Sequence, residues 1–268
     1  MKKSLELDKK VFLKKFEKVS KNFYQKLHEY ISNPNDENIH DIRVSIRRLE
    51  SAYQILPKNA RKQDRVKEYV KQAKKLFKLN AKIRDFDIIC TNMESRYQDK
   101  TQDLVLILKN SRSGQIKNAN KLALKVSHLD IPKITKSSIK KSKLTKRYLK
   151  ILDEIILDIH KNSIISLGDE GKINELHMLR KNFKKLRYTL ELASDKKTTY
   201  GILQNLKNIQ DILGEIHDSD IIIDYLKSID QNSKYSEIIT IEVSHRSKKY
   251  NAFVVEFKKN PKAINFDL

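Results

Sequence analysis

Glycine and proline are scarce in this chain, at five and four residues in 268. So few turn and bulge residues leave little to build a strand-rich fold, and they predict an all-α protein of long helices. There is one cysteine, Cys90, which excludes an intrachain disulfide framework and an all-cysteine metal site. Its place after Ile88 and Ile89 predicts a buried structural thiol rather than a nucleophile. Tryptophan is absent, and most Phe and Tyr fall on apolar helical spacing, which leaves few rings on which a nucleobase would stack. No stretch approaches the roughly 20 apolar residues of a membrane span, and Met1 to Lys21 lacks the apolar centre of a signal peptide. The expectation is a soluble, cytoplasmic protein with no membrane partner.

What the chain does have is positive charge. Lys and Arg number 56 against 34 Asp and Glu, a formal net charge of +22. A field of that size concentrates anions and favours nucleic acid, anionic lipid or a phosphate polymer, without choosing among them. Because much of the excess is Lys on an Ile, Asn and Lys-rich background, the positions of the charges carry more information than their sum.

Apolar spacing at Val11, Phe12, Phe16, Val19, Phe23 and Leu27 marks an amphipathic helix over Leu5 to Ile31. Asn33-Pro34-Asn35-Asp36 breaks it and caps a second helix that Pro57 stops near Leu56. A third is expected from Asp64 through Met93 and a fourth from Asp103 to about Val126. Pro132 and the Ser/Lys-rich stretch to Lys143 form the expected connector. Four more helices follow, at about Leu144 to Ile165, Glu170 to Ala193, Thr198 to Leu226 and Ser236 to Lys259.

The second set repeats motifs of the first. His40-Asp-Ile-Arg43-Val-Ser-Ile-Arg47-Arg48-Leu49 is echoed 137 positions later by His177-Met-Leu-Arg180-Lys-Asn-Phe-Lys184-Lys185-Leu186. Ile83-Arg84-Asp85-Phe86-Asp87 is echoed 133 positions later by Ile216-His217-Asp218-Ser219-Asp220. Two motifs in the same order, differing by one short indel, imply an internal duplication, with repeat 1 at about 5–128 and repeat 2 at about 140–262.

On a helix of 3.6 residues per turn, His40, Arg43, Arg47 and Glu50 fall within an arc of about 80°, as do His177, Arg180, Lys184 and Arg187. The opposite side carries Ile42, Ile46, Leu49 and Tyr53, then Leu179, Phe183, Leu186 and Leu190, which are expected core. Like charges three and four residues apart repel, so the same basic cluster in both halves points to an anion that offsets it. Each His also stands in the early turns of its helix, where the dipole favours phosphate. A bound anion would favour the protonated imidazole and so tighten binding as pH falls. No His-x3-His or Cys/His spacing supports a metal site. In the second motif, Arg84 and His217 are candidates to face the ligand. Asp85, Asp87, Asp218 and Asp220 are expected to orient basic side chains or cap a helix, with an acid-pair catalyst as the rival reading.

Those four blocks resemble the CHAD domain, the conserved-histidine α-helical family, marked by a duplicated His-x2-Arg-x3-[Arg/Lys]-[Arg/Lys]-Leu helix and a following [Arg/His]-Asp-x-Asp helix. The resemblance implies two antiparallel four-helix bundles related by pseudo-twofold symmetry, with a basic groove or pore that binds inorganic polyphosphate. It implies ligand contacts at His40, Arg43, Arg47, Arg48 and Arg84 in one half. In the other they are His177, Arg180, Lys184, Lys185, Arg187 and His217. Glu50 stands where the family usually has Arg. The CYTH hydrolase domain fused to some members is not expected here, since Glu6-Leu7-Asp8-Lys9-Lys10 is followed by no β-rich stretch.

The chain therefore reads as a stand-alone polyphosphate-binding protein without cofactor or metal, and polyphosphate granules are a candidate location. Non-sequence-specific nucleic-acid binding is the first alternative. A polyphosphate-processing enzyme is the second, although no Gly-x4-Gly-Lys-[Ser/Thr] loop is present. Peripheral attachment to anionic lipid is a third, but the apolar helix faces are needed for bundle cores.

Overall fold

The computed structural model describes residues 7–135, 137, 139–193, 196–230 and 232–259. Among these the chain is helical without a strand: α1 (Lys9–Ser32), α2 (Asp36–Ile55), α3 (Lys58–Arg61), α4 (Asp64–Arg96), α5 (Gln102–Ser127), α6 (Lys141–Ser166), α7 (Ile173–Ala193), α8 (Lys196–Ile229) and α9 (Ser236–Lys259). A 3-10 turn at Gln98–Thr101 joins α4 to α5. No helix among the described residues is long and apolar enough to cross a membrane.

The helix starts follow their caps. Asp8 accepts the Val11 backbone N–H at 2.8 Å, and Asn35 accepts that of Asn38 at 2.8 Å, each satisfying one of the donors a helix leaves unpaired at its N-terminus. That hydrogen bond also holds the Asp8 carboxyl below its ordinary value. Pro57 follows α2 and immediately opens the single turn of α3, which periodicity did not foresee because four residues contain no repeat to read. In the second half α7 begins at Ile173, not Glu170, because Gly171 N–H is taken by the Asp169 carboxylate at 2.7 Å, while α6 begins three residues before the expected Leu144, at Lys141, and α8 two before the expected Thr198, at Lys196. The expected bounds at Leu5 and residue 262, and Glu6, lie outside the described residues.

The chain divides into two compact units at Ile151/Leu152, inside α6 rather than at the Pro132 connector. Leu144, Tyr148 and Ile151 are all buried, and Arg147 Nε donates to the Gln54 carbonyl at 3.1 Å. The first part of α6 thus belongs to the first half.

In the first half, Phe23, Leu27 and Tyr30 of α1 pack with Ile39, Ile42, Ile46 and Leu49 of α2. Tyr69, Leu76 and Ile83 of α4 and Ala119, Ala123 and Val126 of α5 complete that core. Phe23 meets Tyr69 edge to face, with ring centroids 5.4 Å apart. Lys26 ties α1 to α2, lying 2.8 Å from Asp41 and 2.7 Å from Glu29. In the second half, Leu179, Phe183, Leu186 and Leu190 of α7 are buried together with Leu206, Leu213 and Ile216 of α8. Phe183 contacts Phe257 of α9 edge to face. The apolar faces read from the sequence are core in both halves, apart from half-buried Tyr53. Each fully buried Leu or Phe contributes about 1.5–3 kcal/mol relative to exposure.

Candidate anion-binding site

His40 and His177 occupy the same place, the fifth residue of α2 and of α7. Both are one turn inside the helix, beyond the free N–H groups of the terminus, so an anion bound there would be met by side chains rather than by backbone.

In the first half the stripe is built on an aromatic ring. The guanidinium carbons of Arg43 and Arg47 lie 4.2 and 5.0 Å from the centroid of the Phe77 ring of α4. Arg43 Nη1 also donates to the Phe77 carbonyl at 2.9 Å. The ring attracts both cations through its negative face and fixes their planes. Arg48 and Arg84 are half-buried, and His40 is exposed. Glu50 forms an ion pair with Lys74 at 2.7 Å, so its charge is compensated within α2 and α4. At the matching position Arg187 lies 3.7 Å from Glu191 and stacks over Tyr188. The two halves thus differ in sign at this position, and each offsets the charge locally.

In the second half α7 and α8 bring two histidines together. His177 Nδ1 and His217 Nδ1 are 3.2 Å apart, with ring centroids 4.5 Å apart. One nitrogen must donate and the other accept, so two neutral rings in complementary tautomers satisfy the contact, and one imidazolium beside one neutral ring also does; two imidazoliums do not. Burial pushes the His217 pKa down to about 2, helped by Arg180, His177, Lys184 and Lys181. That grouping places Arg180 and Lys184 where the stripe was expected. It adds Lys181, which lies one step off the stripe and therefore escaped a reading based on 3.6-residue spacing. Lys185 is half-buried.

The Asp-x-Asp blocks do not form acid pairs. Asp87 Oδ1 accepts from Arg112 Nε at 2.5 Å, and Arg112 Nη2 reaches the Pro34 carbonyl at 3.1 Å. Asp220 accepts from Arg246 Nε at 2.5 Å, and Arg246 Nη2 reaches the Glu170 carbonyl at 2.9 Å. In each half, therefore, an arginine of the last helix clamps the second motif to the loop that precedes the first. Both carboxyls are pushed up by burial, and their arginine opposes the shift. Arg112 and Arg246 were not singled out from the sequence, since nothing in their own neighbourhoods marks them; only the folded contacts do.

Other reactive groups are spent on structure. Cys90 is buried, and burial raises its thiol pKa to about 11, as expected for an inert thiol. Ser219 donates to Glu242 at 2.9 Å and contacts His245 Nδ1 at 3.2 Å, but it is buried. No cluster of metal-ligating side chains occurs among the described residues.

The sequence matches the CHAD domain family over residues 22–227, which takes in all four motif blocks. The chain belongs to the CHAD family. Its fold is similar to the crystal structure of the CHAD domain from the plant Ricinus communis, with a TM-score of 0.64 at 15% identity, covering 98% of this chain and 90% of that one. Among curated proteins none matches it. Within this CHAD domain, the Phe77 platform has no counterpart 133 positions later. Gln210 stands there and donates to the Phe183 carbonyl at 3.0 Å. The two halves share motifs while orienting their basic side chains by different means.

Proposed function

We propose that this CHAD protein is a binding module for inorganic polyphosphate and does not process the polymer. One observation carries the reading: each half presents a histidine at the fifth position of a helix, followed on the same face by two basic residues. Those are Arg43 and Arg47 in the first half and Arg180 and Lys184 in the second. A flexible polyanion with one negative charge or more per phosphoryl group can follow such stripes, and arginine gives each phosphate two parallel donors.

The acid residues support binding over catalysis. Asp87 and Asp220 are held by arginines in buried ion pairs, which is poor preparation for proton exchange. Granule association and a cytoplasmic location belong to this same reading. Incubation with long-chain polyphosphate and Mg2+ or Mn2+ tests it: retention of the polymer without orthophosphate release is expected. Release that disappears in His177→Ala would overturn it.

A further inference from the structure

The first half contains a second cationic feature beyond the C-terminal end of the stripe. α2 is about 30 Å long by its helical rise, with His40 near its start and Gln54 at its end. Just past that end, α3 and the first turns of α6 line a concavity of about 550 Å3. Its cations are Lys58, Arg61 and Lys62 from one side and Lys143, Lys146, Arg147 and Lys150 from the other, and no acidic residue lines it. Volume in this range suits a small ligand.

The sequence builds this wall deliberately. Positions 143, 146, 147 and 150 share one face of α6, while Leu144, Tyr148 and Ile151 are buried on another. Arg147 is fixed by its Nε bond to the Gln54 carbonyl, which leaves its terminal nitrogens for a ligand. Pro57 sets the start of α3, and the Tyr53 hydroxyl donates to the Arg61 carbonyl at 3.2 Å. Arg61 Nε is shielded from solvent with no hydrogen-bond partner among the described residues. No carboxylate of a described residue pairs with Lys58, Arg61, Lys62, Lys143, Lys146 or Arg147. Like charges at this density repel one another, and a compact multivalent anion relieves them better than separate monovalent ions.

We propose that this concavity is a second anion site, for a compact condensed phosphate: a free triphosphate or the end of a longer chain. It does not require the stripes to bind polymer. Calorimetric titration of tripolyphosphate into the full chain tests it, against Lys62→Gln with Lys146→Gln and against Arg180→Ala with Lys184→Ala. Circular dichroism monitors the fold. Tripolyphosphate affinity should fall about tenfold in the first pair, the loss of roughly one strong contact, and hold in the second. Unchanged affinity in the first pair overturns the proposal. So does a loss confined to the second pair, which would leave the polymer reading intact, or an equal loss for a single-stranded DNA oligonucleotide. A long chain with both ends blocked as phosphoramidates separates the two sources. Weaker binding of the blocked chain to the unaltered protein assigns the pocket to chain ends, and equal binding assigns it to free triphosphate.

Discussion

His177 and His217 meet nitrogen to nitrogen at 3.2 Å across α7 and α8, among Arg180, Lys181 and Lys184. Two rings in that contact hold at most one extra proton between them, and the surrounding cations oppose even that one.

Stability should depend on this pair. Burial and the nearby cations hold the folded His217 pKa down at about 2, against about 6.5 when unfolded. The stability it contributes is therefore present above about pH 6.5 and is lost as pH falls through the window below it. The loss approaches, at most, about 1.4 kcal/mol per pH unit, reduced by partial solvent exposure. Thermal melts between pH 7 and pH 5 check this: Tm should fall with pH, and His217→Gln should flatten the slope.

Affinity for the polymer should move the other way. A bound anion favours a proton on the His pair, so binding should tighten between pH 8 and pH 6, by no more than about tenfold per unit if the pair takes one proton. His177→Ala should lose that dependence. A flat profile in the unaltered protein would count against direct contact.

The arginine clamps predict large structural costs. Removing one partner of a buried ion pair leaves the other charge uncompensated, at about 3–5 kcal/mol. Arg246→Met and Asp220→Asn should each lower stability by that order in urea melts, and the double variant should recover part of the loss. Additive losses would show that the 2.5 Å contact is not coupled.

Glu50 offers the opposite test. Its pairing with Lys74 cancels one positive charge beside the stripe, so Glu50→Gln should release Lys74 and tighten polymer binding a few-fold, with little change in Tm. Exposed pairs of this kind stabilise by about 1 kcal/mol or less.

Much of this was legible in the sequence because helical periodicity records burial directly. The faces at Ile42, Ile46 and Leu49 and at Leu179, Phe183 and Leu186 are core, and the long helices begin within a few residues of their caps. The spacing that puts Arg43 with Arg47, and Arg180 with Lys184, on one helix face was legible for the same reason. What remained hidden depends on contacts between helices. Phe77 sits on an apolar spacing like any core ring, and only its place under Arg43 and Arg47 shows that it carries the stripe. Arg112 and Arg246 are single charges on α5 and α9, 25 and 26 residues from their aspartates, beyond any local pattern. The division inside α6 was hidden because a continuous helix gives no compositional mark where its packing partner changes.

Competition binding tests the central claim most directly: labelled long-chain polyphosphate displaced by unlabelled polyphosphate, DNA or RNA at matched charge and salt. The unaltered protein should prefer polyphosphate. Arg180→Ala with Lys184→Ala should weaken that binding by about tenfold or more while keeping its helicity. Leu186→Ala should instead cost about 2–5 kcal/mol of stability. Equal displacement by DNA with the same steep salt slope, or unfolding of the Arg180 and Lys184 variant, would contradict a polyphosphate-specific stripe.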